Sequence, residues 1–168
     1  MIGITEPRRV AVTTLASRVA EESRSQLGVQ VGYSIRFDEC FSREKTKIKF
    51  MTEGILIREM MADPLLKSYS VIILDEAHER TVSTDILMGL LKKILKKRRE
   101  LRLIVSSATV DAEYIHDFFG QAGILSVHGN AYSVDVFYLQ DPCPDYVKGC
   151  VETVLKLHAV EPPGKHFE

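Results

Sequence analysis

Two adjacent carboxylates, Asp75 and Glu76, follow the continuous apolar run Val71-Ile72-Ile73-Leu74 and precede Ala77-His78-Glu79-Arg80. Such a run reads as a strand covered on both faces, and in open α/β sheets ligands bind beyond the carboxyl ends of the strands. Asp75 can there hold Mg²⁺, directly or through water, while Glu76 orients and deprotonates a water attacking a γ-phosphate. Such chemistry asks for positioning and charge stabilisation rather than covalent catalysis. His78 lies too far along to be a third ligand of the same ion and could report nucleotide state to a facing domain. The blander alternative is a pair of solvated acids at a strand end. A zinc-protease pattern is excluded, because its second histidine would stand at position 82, which is Val82.

The elements that must position these acids alternate short apolar runs with amphipathic helices, the pattern of a parallel α/β sheet. Met1 to Ile4 reads as a strand and Pro7 suits the first turn of a helix. Val12, Leu15, Ala16, Val19 and Ala20 recur at helical spacing, with Gly28 as the stop. Lys47 to Met51 reads as a second strand, and Thr52 as the cap of a helix that Pro64 ends. Thr84 to about Arg99 carries the apolar stripe Ile86, Leu87, Leu90, Leu91, Ile94 and Leu95. Leu101 to Val105 reads as another buried strand, and Asp111 as the cap of a short helix to Phe119. Ile124 to Val127 and Val134 to Leu139 read as strands, and Asp145 to about His158 as a final helix.

The chain has 168 residues, 45% of them hydrophobic and 27% charged, a mix able to bury a core. Its net charge of −1 supplies no whole-protein basic field, so any nucleic-acid contact must come from a local patch. Cys40, Cys143 and Cys150 are odd in number and lack C-x-x-C spacing, which argues against a disulfide framework or zinc site and for a reducing compartment. No apolar run is long enough to cross a bilayer and the N-terminus lacks signal-peptide organisation. The expectation is no membrane and a nuclear location, with the cytoplasm as the alternative.

Around the two acids stand Thr5-Glu6-Pro7-Arg8-Arg9, Gly32-Tyr33-Ser34-Ile35-Arg36-Phe37-Asp38, Phe50-Met51-Thr52-Glu53-Gly54 and Ser107-Ala108-Thr109. With Asp75-Glu76-Ala77-His78-Glu79-Arg80, in this order and spacing, they resemble the DEAH-box family of superfamily 2 RNA helicases over at least residues 1–140. Asp63-Pro64-Leu65-Leu66 and the stretch from Asp141 to Lys148 look most like a spliceosome-associated member, which implies spliceosomal protein partners. The resemblance implies a RecA-like P-loop NTPase fold with a mostly parallel sheet, ATP and Mg²⁺ as cofactors, and RNA as partner. It implies that Asp75 coordinates Mg²⁺ and Glu76 is the catalytic base. It makes His78, Ser107 and Thr109 the residues coupling hydrolysis to movement between two motor domains. Arg8 and Arg9 match the motif that holds the RNA backbone, and Thr52 a second backbone contact.

The residues agree with that assignment. Both backbone motifs fall at strand-to-helix turns, where free N–H groups and the helix dipole favour phosphate, and arginine adds forked donors. Such contacts carry no base sequence, as a translocating motor needs. Against this, Arg8-Arg9 could be a solvated first turn, and Thr52 merely a helix cap. Lys92, Lys93, Lys96, Lys97, Arg98 and Arg99 form the densest basic patch, which reads first as the solvated face and dipole-compensating end of a helix. His116, His128, His158 and His166 have no metal-ligand spacing. Tyr132, Phe137 and Tyr138 read as sheet packing rather than a base-stacking platform.

Several positions depart from the family pattern. No Gly-rich loop ends in Gly-Lys-Ser/Thr; Gly164-Lys165 is followed by His166. The expected fold therefore lacks the first, P-loop strand and its helix, and this chain by itself is expected to show no meaningful ATPase activity. Glu6 replaces the usual glutamine, adding negative charge near the RNA path, and Asn130 stands where arginine is common. Residues 1–130 read as a partial first RecA-like domain, and 131–168 as the beginning of a second, normally present in cis, or as a tail. The competing functional reading is a non-catalytic RNA-binding or regulatory truncated isoform.

Overall fold

The alternation of apolar residues along Ile48–Thr52 shows how the molecule is layered: Phe50 enters one hydrophobic cluster and Met51 the other. Successive strand side chains point to opposite faces, so the sheet must be covered on both sides. The computed structural model describes residues 1–108, 112–120, 122–127, 136–139 and 142–160. Two compact units are distinguished, Met1–Leu125 and Ser126–Glu168.

The first unit holds one six-stranded sheet. Its strands are β1 (Ile2–Glu6), β2 (Val31–Ile35), β3 (Asp38–Cys40), β4 (Ile48–Thr52), β5 (Val71–Leu74) and β6 (Arg102–Val105), in the order β3-β2-β4-β1-β5-β6. All pairings are parallel except the β2–β3 hairpin. This is the mostly parallel α/β sheet that the sequence predicts. Helix α1 (Arg9–Glu22) packs Val12, Ala16 and Ala20 against one face. Helices α2 (Glu53–Ala62) and α3 (Val82–Lys97) pack Ile55, Leu56, Leu87 and Leu91 against the other. Each fully buried leucine there contributes about 2 kcal/mol of transfer free energy. A short helix, α4 (Ala112–Phe118), adds Ile115 and Phe118 to the same cluster.

Several expectations need correction. α1 ends at Glu22 with Ser23 as its cap, and Gly28 instead occupies a left-handed turn at φ +88° beyond the helix. Thr52 is the N-cap of α2 by position, yet its side chain makes no capping hydrogen bond. Leu101–Val105 is not fully buried: Arg102 is exposed and Ile104 is 51% exposed. β6 is the last strand at this end of the sheet among the described residues, so its outward positions have no covering layer. Residues 124–127 and 136–139 form no strand, and Phe137 and Tyr138 are exposed rather than packed. In the second unit the described helix is α5 (Tyr146–Val160). Tyr132, His128, Asn130 and His166 lie outside the described residues.

Candidate active site

Leu74 pairs with Val105 across the β5–β6 ladder, so the residues leaving these two strands emerge side by side. They are Asp75 and Ser106. The Ser106 hydroxyl donates a very short hydrogen bond to Asp75 Oδ1, and the Glu76 N–H donates to the same oxygen at 2.9 Å. The backbone closes around them. Asp75 N–H reaches Thr5 O at 3.1 Å, Ser106 N–H reaches Leu74 O at 2.9 Å, and Ala77 N–H reaches Ser106 O at 3.0 Å. Two hydrogen bonds to the carboxylate and three backbone bonds among the ends of β1, β5 and β6 thus fix Asp75.

Glu76 leaves the strand through a left-handed backbone, φ 53° and ψ 36°, into the 3₁₀ turn Ala77–Glu79, and Arg80 ends that turn at φ 48°. Non-glycine residues in this region carry strain of about 1 kcal/mol or more each. Arg80 is held by a two-pronged bond to Asp85, at 2.8 and 3.0 Å, which keeps the Asp85 carboxyl below its usual range. His78, inside the turn, faces both neighbours. Its Nδ1 accepts the Ala108 N–H at 3.2 Å, so its proton sits on Nε2, 3.1 Å from Glu76 Oε2. The imidazole therefore links the carboxylate of Glu76 to the loop that carries Ser107.

Asp75, Glu76, His78 and Ser107 thus belong to one constellation across the β5 and β6 ends, while Thr109 lies outside the described residues. Sequence reasoning missed Ser106 as a partner of Asp75. The available signal was positional: Ser106 ends the apolar run of β6 as Asp75 ends that of β5.

Glu6 also differs from expectation. It is 2% exposed, at the carboxyl end of β1 beside β5, and faces the acid cluster rather than an open RNA path. Burial, then the neighbouring Asp75 carboxylate, and more weakly Glu76 and Glu79, push its carboxyl up from 4.5 to about 8. Its Oε1 has no hydrogen-bond partner. Asp75, Ser106 and Glu6 present hard oxygen atoms, a set suited to Mg²⁺ held largely through water and not to a soft transition metal. Among the described residues no group of three or more His, Cys, Asp or Glu side chains closes into an all-protein metal cage.

The arginine and threonine positions meet on the same sheet edge. Glu6 pairs in register with Thr52, so the turns leading into α1 and α2 are neighbours. Neither helix has a side-chain hydrogen bond at its N-cap, Arg8 or Thr52, which leaves first-turn N–H groups available to an anion. Arg8 pairs with Glu79 at 2.9 Å and is exposed, and the Arg9 guanidinium donates to Arg36 O at 3.3 Å. Arg36 and Phe37 form the turn of the β2–β3 hairpin, where Phe37 takes φ 68° and is 90% exposed with the Arg36 guanidinium 4.7 Å above its ring. The Tyr33 hydroxyl, bonded to Asp38 at 3.0 Å, closes that hairpin.

No protein-family model matches the chain. It is 58% identical, over 98% of its length, to the human "Probable ATP-dependent RNA helicase DHX35", and equally to the DHX35 of Pongo abelii. A DHX35 homologue of Caenorhabditis elegans is 53% identical over 97% of the chain. The chain spans about a quarter of the length of these curated relatives. With the ordered motifs on a mostly parallel α/β sheet, the chain is thus similar, over nearly its whole length, to one quarter of these ATP-dependent RNA helicases.

Proposed function

We propose that this segment is the catalytic and RNA-gripping part of a motor that hydrolyses ATP to remodel RNA, with residues from about 131 onward opening a second motor domain. The observation that carries the reading is the pairing of Asp75, fixed by Ser106, with Glu76, fixed through His78, at the carboxyl ends of adjacent strands. Mg²⁺ bound with ATP would supply charge neutralisation on the phosphate oxygens, and Asp75 is the residue to hold it. Glu76 orients the attacking water and takes its proton at a side-chain oxygen. His78 keeps Glu76 in place and passes its position to Ala108 and Ser107, and thence to Thr109. Arg8, Arg9 and the N-termini of α1 and α2 grip successive phosphates of RNA without reading bases. Spliceosomal partners and a nuclear location belong to the same proposal and rest on the DHX35-like segments alone.

The test is RNA-stimulated phosphate release by the native protein. Glu76→Gln is expected to lower kcat by about 10²–10⁴-fold, the range for losing a general base, with unchanged thermal unfolding. Undiminished turnover in that variant would remove Glu76 from the mechanism. The second reading, RNA binding without turnover, is favoured by one observation: the uncapped N-termini of α1 and α2 can receive a phosphate without any nucleotide. RNA affinity that weakens in Arg9→Ala and ignores added nucleotide would select it.

A further inference from the structure

The two segments that the catalytic reading leaves unused, Asp63-Pro64-Leu65-Leu66 and the basic end of α3, meet at one groove on the opposite edge of the sheet. Its volume is about 360 Å³, and its apolar lining includes Ile57, Met61, Pro64, Leu65 and Leu90. Met61 is 81% exposed at its mouth. The walls are built rather than incidental. Asp63 accepts the N–H groups of Leu65 at 3.2 Å and Lys67 at 2.5 Å, which sets the turn after α2. The Arg98 guanidinium then ties that turn to α3 through the carbonyls of Leu65, Leu66 and Tyr69, at 3.1, 2.5 and 2.6 Å.

The rim is cationic. Lys93 and Lys97 line the groove and Lys96 lies beside it, all exposed and none in an ion pair among the described residues. Lys96 and Lys97 answer the negative end of the α3 dipole. Lys93 lies a turn earlier, where that explanation weakens, and a cluster of unpaired cations stands out on a chain of net charge −1. An apolar trough with a positive rim is complementary to a short amphipathic segment whose apolar anchors are flanked by acids. Nucleic acid would use the lysines but leave the apolar floor unfilled.

We propose that the α2–α3 groove docks an acidic amphipathic segment of a protein partner, on the sheet edge away from Asp75 and Glu76. Fluorescence anisotropy of the native protein with three labelled probes tests this. The probes are a helical peptide of leucines and glutamates, the same peptide with lysines in place of glutamates, and oligouridylate. The acidic peptide is expected to bind, to lose about tenfold or more in affinity in Lys93→Glu/Lys97→Glu and in Met61→Asp, and to outbind its lysine counterpart by a similar factor. All three positions are exposed, so thermal unfolding of the variants is expected to match the parent. No saturable binding of the acidic peptide, or binding indifferent to both variants, overturns the proposal. Oligouridylate binding lost in Lys93→Glu/Lys97→Glu, with no peptide bound, assigns the patch to nucleic acid instead.

Discussion

The carboxyl and amino edges of the sheet are built on opposite principles. At the carboxyl edge polar groups are crowded and incompletely satisfied. Glu6 is buried with an unpartnered oxygen, whereas left-handed backbone occurs at both edges, at Glu76 and Arg80 here and at Arg24 and Leu66 at the other. At the amino edge every buried charge is answered. Lys49, 2% exposed, pairs with Glu59 at 2.5 Å and lies 3.9 Å above the Phe41 ring. Tyr69 donates to the other Glu59 oxygen at 2.5 Å, and burial together with Glu59 drives its hydroxyl well above the usual phenol range. Strain and unmet hydrogen bonds persist only where the surrounding structure enforces them. The contrast places the paired buried charge at one edge and the crowded carboxylates at the other.

The largest stability effect is expected from breaking the satisfied edge. Lys49→Ala leaves Glu59 half of its partners and opens a buried space beneath Phe41. It is expected to cost about 3 kcal/mol, read as a lower midpoint in chemical denaturation. Next comes Arg98→Ala, which removes three carbonyl partners of a guanidinium that is 12% exposed. A loss of about 2 kcal/mol is expected. The turn at Leu65 would loosen with it, so acidic-peptide binding at the α2–α3 groove should fall in parallel. A variant with unchanged stability would show that the amino edge does not depend on this tie.

The two edges were unequally legible in sequence. Val71–Leu74 followed by two acids could be read directly, because a continuous apolar strand and polar residues at its end are local features. The stripe Leu87, Leu91 and Ile94 fixed α3 to within two residues at each end for the same reason. What pairs with what was not local. Ser106 meets Asp75 only through the β5–β6 register, and Lys49 and Tyr69 meet Glu59 only once α2 folds back over the sheet. The apolar runs at 124–127 and, where described, 136–139 misled, since alternation alone cannot show whether a neighbouring strand exists to pair with. Glu6 was read as lying near an RNA path because its motif neighbours Arg8 and Arg9 do. β1 lies inside a sheet covered on both faces, so Glu6 is buried as Thr5 is.

Glu6 sharpens the comparison through pH. Its carboxyl holds a proton more tightly folded, at about 8, than unfolded, at 4.5. The stability this contributes is fully present below the unfolded value and is lost as pH rises through the folded one. Glu6→Gln cannot ionise and can still donate to Asp75. Its stability should equal the parent's below pH 4.5 and exceed it increasingly as pH rises toward 8. Parallel stability curves for the two proteins between these limits would mean that the carboxyl edge stores no such cost.

The smallest stability effect belongs to Thr52, and its smallness is the point. A threonine that caps its helix through its side chain costs about 1 kcal/mol when replaced by alanine. Here the side chain makes no such bond, because α2 begins at a turn whose N–H groups are left open. Thr52→Ala is therefore expected to change unfolding by less than about 0.5 kcal/mol. If those groups and the hydroxyl serve an RNA phosphate, the same variant should weaken binding of a single-stranded RNA several-fold. It should do so equally for different base sequences, since a phosphate contact reads none. A measured loss of stability near the full capping value, with RNA affinity intact, would return Thr52 to the role of a simple helix cap. The carboxyl edge would then hold RNA through Arg8 and Arg9 alone.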